Sequence, residues 1–257
     1  MILLTNGDSW TQGDSPAQNI NWEATKTLDW YDIIPNFGNN FNICVDKIRY
    51  KFYDSDVWPK VLGRKLGFET WNAGRLADSN DRILRTTITS VDYLDSIGKT
   101  DLFVVIGLTS MFRYENWNNQ FENRFNEKEE PGRFINERIM GKEWLEFGEK
   151  PLIHRTCLNI IHLQNFLKER NIPYLIFNCF DDMDEDMRKD SLFKYIDLNN
   201  IYNRDFEAHF KNFILQKYNT DWGNNDDYFK INHPTDKSHI AWGIHLYKYI
   251  KENYELY

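Results

Sequence analysis

Leu102-Phe103-Val104-Val105-Ile106 is an apolar run with no polar residue between its members. A strand with one face in water alternates, whereas a run like this is apolar on both faces and must lie between two covering layers. Ile2-Leu3-Leu4 and Tyr174-Leu175-Ile176-Phe177 repeat the pattern at shorter length, and Thr70-Trp71-Asn72 reads as a further short strand. Between the runs the apolar residues fall at helical spacing. Val57, Val61, Leu62 and Leu66 precede Gly67 as a stop signal, and Leu84, Ile88, Val91 and Leu94 mark a helix over 81–97 before Gly98. Ile153, Cys157, Ile160, Ile161 and Leu167 mark a long helix ending near Asn171, and Ile240, Ile244, Tyr247 and Ile250 a C-terminal one. Parallel neighbours require crossovers, so strands alternating with helices predict a three-layer α/β/α sandwich around a parallel sheet of about five strands.

In such folds, function collects on the loops at the carboxyl ends of the strands. The first loop, Asn6-Gly7-Asp8-Ser9-Trp10, puts a serine after a glycine turn, where a hydroxyl is exposed among backbone N–H groups; an ordinary Asx or Ser turn has the same composition. The second runs from Asn72 through Ala77 to Ser79 and Asn80, either of which is a natural N-cap for the next helix. The third is Gly107-Leu108-Thr109-Ser110. The fourth is His233-Pro234-Thr235-Asp236-Lys237-Ser238-His239, with Thr235 or Asp236 as a candidate cap for the last helix.

In order and placement these four stretches resemble the blocks of the SGNH, or GDSL, hydrolases. Gly7-Asp8-Ser9 matches the first block, Asn72 to Ala77 the second in spacing, Gly107-Leu108-Thr109 the third and His233-Pro234 the fourth. The resemblance spans the chain, although about twenty residues carry it. It implies a flavodoxin-like sandwich, a single domain over 1–257 with an insertion at about 113–149, and a serine esterase that removes acyl (acetyl) groups from a carbohydrate or small ester. Ser9 is then the nucleophile and His233 the general base. The oxyanion is held by the backbone N–H groups of Ser9 and Ala77 and by a donor from Thr109.

The pattern departs at three positions. Ala77 stands where the family has glycine, Thr109 where it has asparagine, and Lys230 occupies the place, three before His233, of the family's aspartate. Asp226 or Asp227 is a substitute acid, Asp227 being the weak choice made here, or the site runs as a Ser–His dyad. Asp236 and His239 form an alternative acid/base pair at D-x-x-H spacing; His233 is preferred for its proline and its place before the helix. The same departures motivate a second reading, a catalytically impaired SGNH-fold structural or receptor-binding protein. The chain has 28 asparagines and lacks a signal-like start, a character that resembles SGNH proteins encoded by tailed bacteriophages. That likeness implies possible virion partners, synthesis in the cytoplasm and a place in the virion.

Other chemistries have less support. A net charge of −8 disfavours a generic grip on nucleic acid or anionic lipid, and no stretch reaches the roughly 20 apolar residues of a membrane helix. Cys44, Cys157 and Cys179 form no C-x-x-C pair and read as buried free thiols. His154 and His162 lie eight apart, too far for an i,i+4 metal pair, and the acidic run 181–186 lacks the glycine and terminal glutamate of an EF-hand, so it reads as a solvated charged loop. No G-x-G-x-x-G or lysine-bearing phosphate loop is present, and the expectation is no metal and no cofactor. The segment 113–149 carries Tyr114, Trp117, Phe121, Phe125, Phe134 and Trp144. It is either a helical excursion packed on the sandwich or a rim presenting aromatics to a sugar or protein partner; Trp22, Trp30 and Trp58 pose the same question.

Overall fold

The computed structural model describes residues 1–12, 56–75, 78–118, 133–138, 148–179, 181–221, 227–230 and 233–256. Among these, strands β1 (Ile2–Asn6), β2 (Glu69–Asn72) and β3 (Leu102–Leu108) form a parallel sheet with β6 (Tyr174–Asn178), in the order β2-β1-β3-β6. The register is continuous: Leu4 pairs with Trp71 on one side and Val104 on the other, and Ile106 pairs with Ile176. Among the described residues the sheet has four strands, where about five were expected. Among the described residues the next position holds an isolated parallel bridge from Ile176 to Ile201, where the chain is wound into short 3₁₀ turns.

The two faces of the sheet define two cores. Ile2, Leu4, Val104, Ile106 and Ile176 face one side, where they meet α3 (Asn80–Ser96) and α4 (Glu149–Glu169). Leu3, Phe103, Val105, Leu175 and Phe177 face the other, against α2 (Trp58–Leu66), α6 (His209–Tyr218) and α7 (Asp236–Asn253). Both sides of β1, β3 and β6 are buried, which is why these runs do not alternate. Gly67 closes α2 in the left-handed conformation, φ 74°, as its position after Leu66 leads one to expect.

Two helix faces differ from the sequence reading. In α3 the buried stripe is Ile83, Thr87, Val91 and Leu94, not one through Leu84 and Ile88. Thr87 is tolerated there because its hydroxyl donates to the Ile83 carbonyl at 2.7 Å. In α7 the stripe is His239, Trp242, Leu246 and Ile250, while Ile240, Ile244 and Tyr247 are only half-buried. Large aromatic contacts move this helix: Trp242 stacks on Phe210 at 5.2 Å and meets Phe177 edge-on at 5.1 Å.

The segment 113–149 contributes an antiparallel hairpin, β4 (Arg113–Asn118) with β5 (Arg133–Arg138), where a helical excursion was one expectation. Phe121, Phe125 and Trp144, like Trp22, Trp30 and Cys44, lie outside the described residues. Trp58 is fully buried and belongs to the core. The acidic run is not a loop throughout: α5 (Asp184–Lys189) begins within it, and Arg188 and Lys189 pair with Asp184 and Glu185 one turn earlier. Cys157 and Cys179 are free and buried, and no described helix is long and apolar enough to cross a membrane.

Candidate active site

At the end of β1, Gly7 makes the turn. A Cβ on Gly7 would lie 2.1 Å from Thr11 Oγ1 and 2.7 Å from the Gly107 carbonyl oxygen, so only glycine lets this turn press against the end of β3. Asn6 fixes the turn from below. Its Oδ1 accepts from the Gly7 N–H at 2.8 Å, and its amide nitrogen donates to Ile83 O, Thr86 Oγ1 and Thr87 Oγ1 at 3.1, 2.8 and 2.9 Å. Ser9 then opens a single helical turn, α1 (Ser9–Gln12), which Trp10 anchors by packing on Phe210 and accepting the Trp58 indole N–H at its carbonyl.

His233 reaches the same place from the far end of the chain. Strands β7 (Phe229–Lys230) and β8 (His233–Pro234) form a tight hairpin in which Lys230 pairs with His233. The hairpin is sewn to the start of α7: the Thr235 N–H and the Ser238 hydroxyl donate to Tyr228 O at 2.9 and 2.6 Å, and Lys237 Nζ lies 2.8 Å from Asp227 Oδ1. Thr235 occupies the N-cap position but makes no side-chain cap bond; its hydroxyl donates to Asp227 O instead. The result is a 3.0 Å hydrogen bond between Ser9 Oγ and His233 Nε2.

His239 is placed differently. It is fully buried in the first turn of α7, where its Nδ1 accepts from the Trp58 N–H at 3.4 Å. Burial, and then the nearby His233, pull its pKa down to about 3, so it remains a neutral imidazole. Its D-x-x-H partner Asp236 has its carboxyl pushed up by partial burial and then by Asp56. The carboxylate of Asp227 is exposed and faces Lys237. Asp226 and Ala77 lie outside the described residues.

Thr109 was a sequence candidate for an oxyanion donor, and the structure commits both of its donors elsewhere. Its N–H donates to Asn80 Oδ1 at 3.0 Å, and its hydroxyl donates to Asp8 Oδ2 at 2.9 Å. Asn80 completes the clamp by donating to Thr109 O at 3.1 Å. Ser79, rather than Asn80, caps α3, accepting from the Arg82 N–H at 3.3 Å.

Two groups escaped the sequence reading. Asp8 is fully buried, with Oδ1 accepting from the Trp10 N–H at 3.0 Å and Oδ2 from Thr109 and from Arg113 Nη1 at 2.9 and 2.8 Å. Burial pushes its carboxyl above the ordinary range, against the pull of the Arg113 charge. Arg113 opens β4, four residues after Thr109; the one signal in the sequence is a cation placed just past a strand-end loop. Elsewhere, His154 Nδ1 lies 3.1 Å from Asp190 Oδ2, away from these loops. Among the described residues no group of His, Cys, Asp and Glu side chains is arranged to hold a metal.

No protein-family model matches the sequence, and a search of curated proteins finds no match. Solved structures similar to this one include a protein of the G-D-S-L family from Desulfitobacterium hafniense DCB-2, at 11% identity and a TM-score of 0.42, covering 96% of this chain and 98% of that one. The psychrotrophic esterase EstA from Pseudoalteromonas sp. is similar at 14% identity and a TM-score of 0.42, covering 98% and 97%. A member of the lipolytic protein G-D-S-L family from Veillonella parvula DSM 2008 gives 10% identity and a TM-score of 0.33, covering 96% and 97%.

Proposed function

We propose that this chain is a serine hydrolase of SGNH type that cleaves carboxylic esters through an acyl-enzyme on Ser9. The 3.0 Å approach of His233 Nε2 to Ser9 Oγ carries the reading, because a hydroxyl is a poor nucleophile until a base at hydrogen-bond distance takes its proton. His233 accepts that proton as Ser9 Oγ attacks the ester carbonyl, then returns it to the leaving alcohol. A water activated by the same imidazole releases the acid. The Ser9 backbone N–H, at the open start of α1, is the donor that faces the developing oxyanion.

Lys230 stands in the place of the family's acid, and the Asp227 carboxylate lies 2.8 Å from Lys237 Nζ. Acetyl groups on a carbohydrate, or a small ester, are the substrates this reading favours. The occupied donors of Thr109 favour one alternative, a module with this fold that binds without turning over.

The test is labelling by a fluorophosphonate, which reacts only with an activated serine. Wild type should label, and Ser9→Ala and His233→Ala should not. Folded wild-type protein without a Ser9-dependent adduct overturns the esterase reading and leaves the binding module.

A further inference from the structure

Three strand-end loops meet at one nitrogen. Arg113 Nη1 lies 2.8 Å from Asp8 Oδ2 on the loop after β1, 3.4 Å from Asp78 O on the loop after β2, and 2.9 Å from Thr109 Oγ1 on the loop after β3. Asp8, Asp78 and Thr109 are all completely buried, and the Arg113 side chain is about four-fifths covered, at 19% exposure. Asp8 directly precedes Ser9, and its other oxygen holds the Trp10 N–H that directly follows it. The guanidinium therefore acts on the serine from both sides without touching it.

From this convergence we propose that Arg113 is the positioning residue of the site: it pins the three loops together and holds the Asp8–Trp10 turn so that Ser9 meets His233. The chemistry favours this role over that of a generic ion pair. The two N–H groups of Nη1 are shared among the three acceptors, and the guanidinium plane fixes their directions, whereas the three donors of an ammonium rotate freely about its stem. A generic pair would need one carboxylate; this one engages a carboxylate, a hydroxyl and a main-chain carbonyl. Arg113 also begins the β4–β5 hairpin, so the same contact roots that arm in the nucleophile loop. As far as catalysis is concerned, the inference rests on the Ser9–His233 reading.

The experiment compares wild type, Arg113→Lys and Arg113→Met by two readouts. The first is the steady-state hydrolysis of p-nitrophenyl acetate together with the fluorophosphonate labelling rate, both per folded protein. Misplacing a nucleophile by about 1 Å costs about 10²-fold, so Arg113→Met should lose about that factor in kcat and in labelling with KM little changed, and Arg113→Lys should recover part of it. The second is amide hydrogen exchange. Protection should fall in residues 8–10, 78–80 and 109–112 together, with β3 and β6 unchanged.

Rates within about threefold of wild type, or loss at one loop only, overturn the proposal. Should Arg113→Met not fold, Arg113→Lys decides it by the same criteria. Should wild type neither label nor hydrolyse, the esterase reading fails, and the exchange pattern alone decides whether Arg113 pins the loops.

Discussion

Asn80→Ala tests the clamp behind the site most directly. Asn80 is 3% exposed and Thr109 is completely buried, and two hydrogen bonds of 3.0 and 3.1 Å join the Asn80 amide to both main-chain groups of Thr109. Truncation strands a buried N–H and a buried C=O, each at a cost of about 1–3 kcal/mol. Alanine's better helix propensity and partial entry of water return some of this, leaving a net loss of about 2–4 kcal/mol. Urea unfolding should show a lower midpoint at unchanged slope, and the melting temperature should fall by about 5–15 °C. Asn80 does not cap α3, so the loss cannot be assigned to a missing cap; Ser79 provides that bond. A change below about 0.5 kcal/mol would refute the clamp, since that is the range of unremarkable surface substitutions.

Two further outcomes follow from packing and protonation. Gly243→Ala places a Cβ 2.8 Å from Val61 Cβ and 3.0 Å from the Trp58 carbonyl, so it should push α7 from α2 and cost about 1–3 kcal/mol in urea unfolding; a neutral result would mean that the two helices can part freely. His239 binds its proton far more weakly when folded, at about 3, than in an unfolded chain, so its contribution is complete above pH 6.5 and is lost as pH falls toward 3. His239→Asn should flatten the wild-type stability curve over that window by up to about 1.4 kcal/mol per pH unit, and parallel curves would contradict the assignment.

The layer architecture was legible in the sequence because the central strands are apolar on both faces, a pattern that no neighbour can disguise. Helix positions were also legible, from caps such as Ser79 and stops such as Gly67. Helix rotation was less so, because Trp242 and Thr87 take buried places that a count of Ile and Leu does not award them. The meeting of Ser9 and His233 was readable from their blocks. The partners of Thr109 were not, since the fate of a hydroxyl depends on whether Asp8, 101 positions away, comes within reach. Arg113 was hidden for the same reason: a cation just past a strand-end loop says little until three loops close around it.

Ser9 and His233 meet across 224 positions of chain. At synthesis rates of about 5–20 residues per second, Ser9 leaves the ribosome roughly 10–45 s before His233 is made. The growing polypeptide thus cannot form this pair until residue 233 is in place, and no amino-terminal fragment that stops short of it holds both members. The same separation offers a practical handle. Cut between Ser9 and His233, the two pieces would each carry half of the pair, and on the proposed reading fluorophosphonate labelling would report their reassembly.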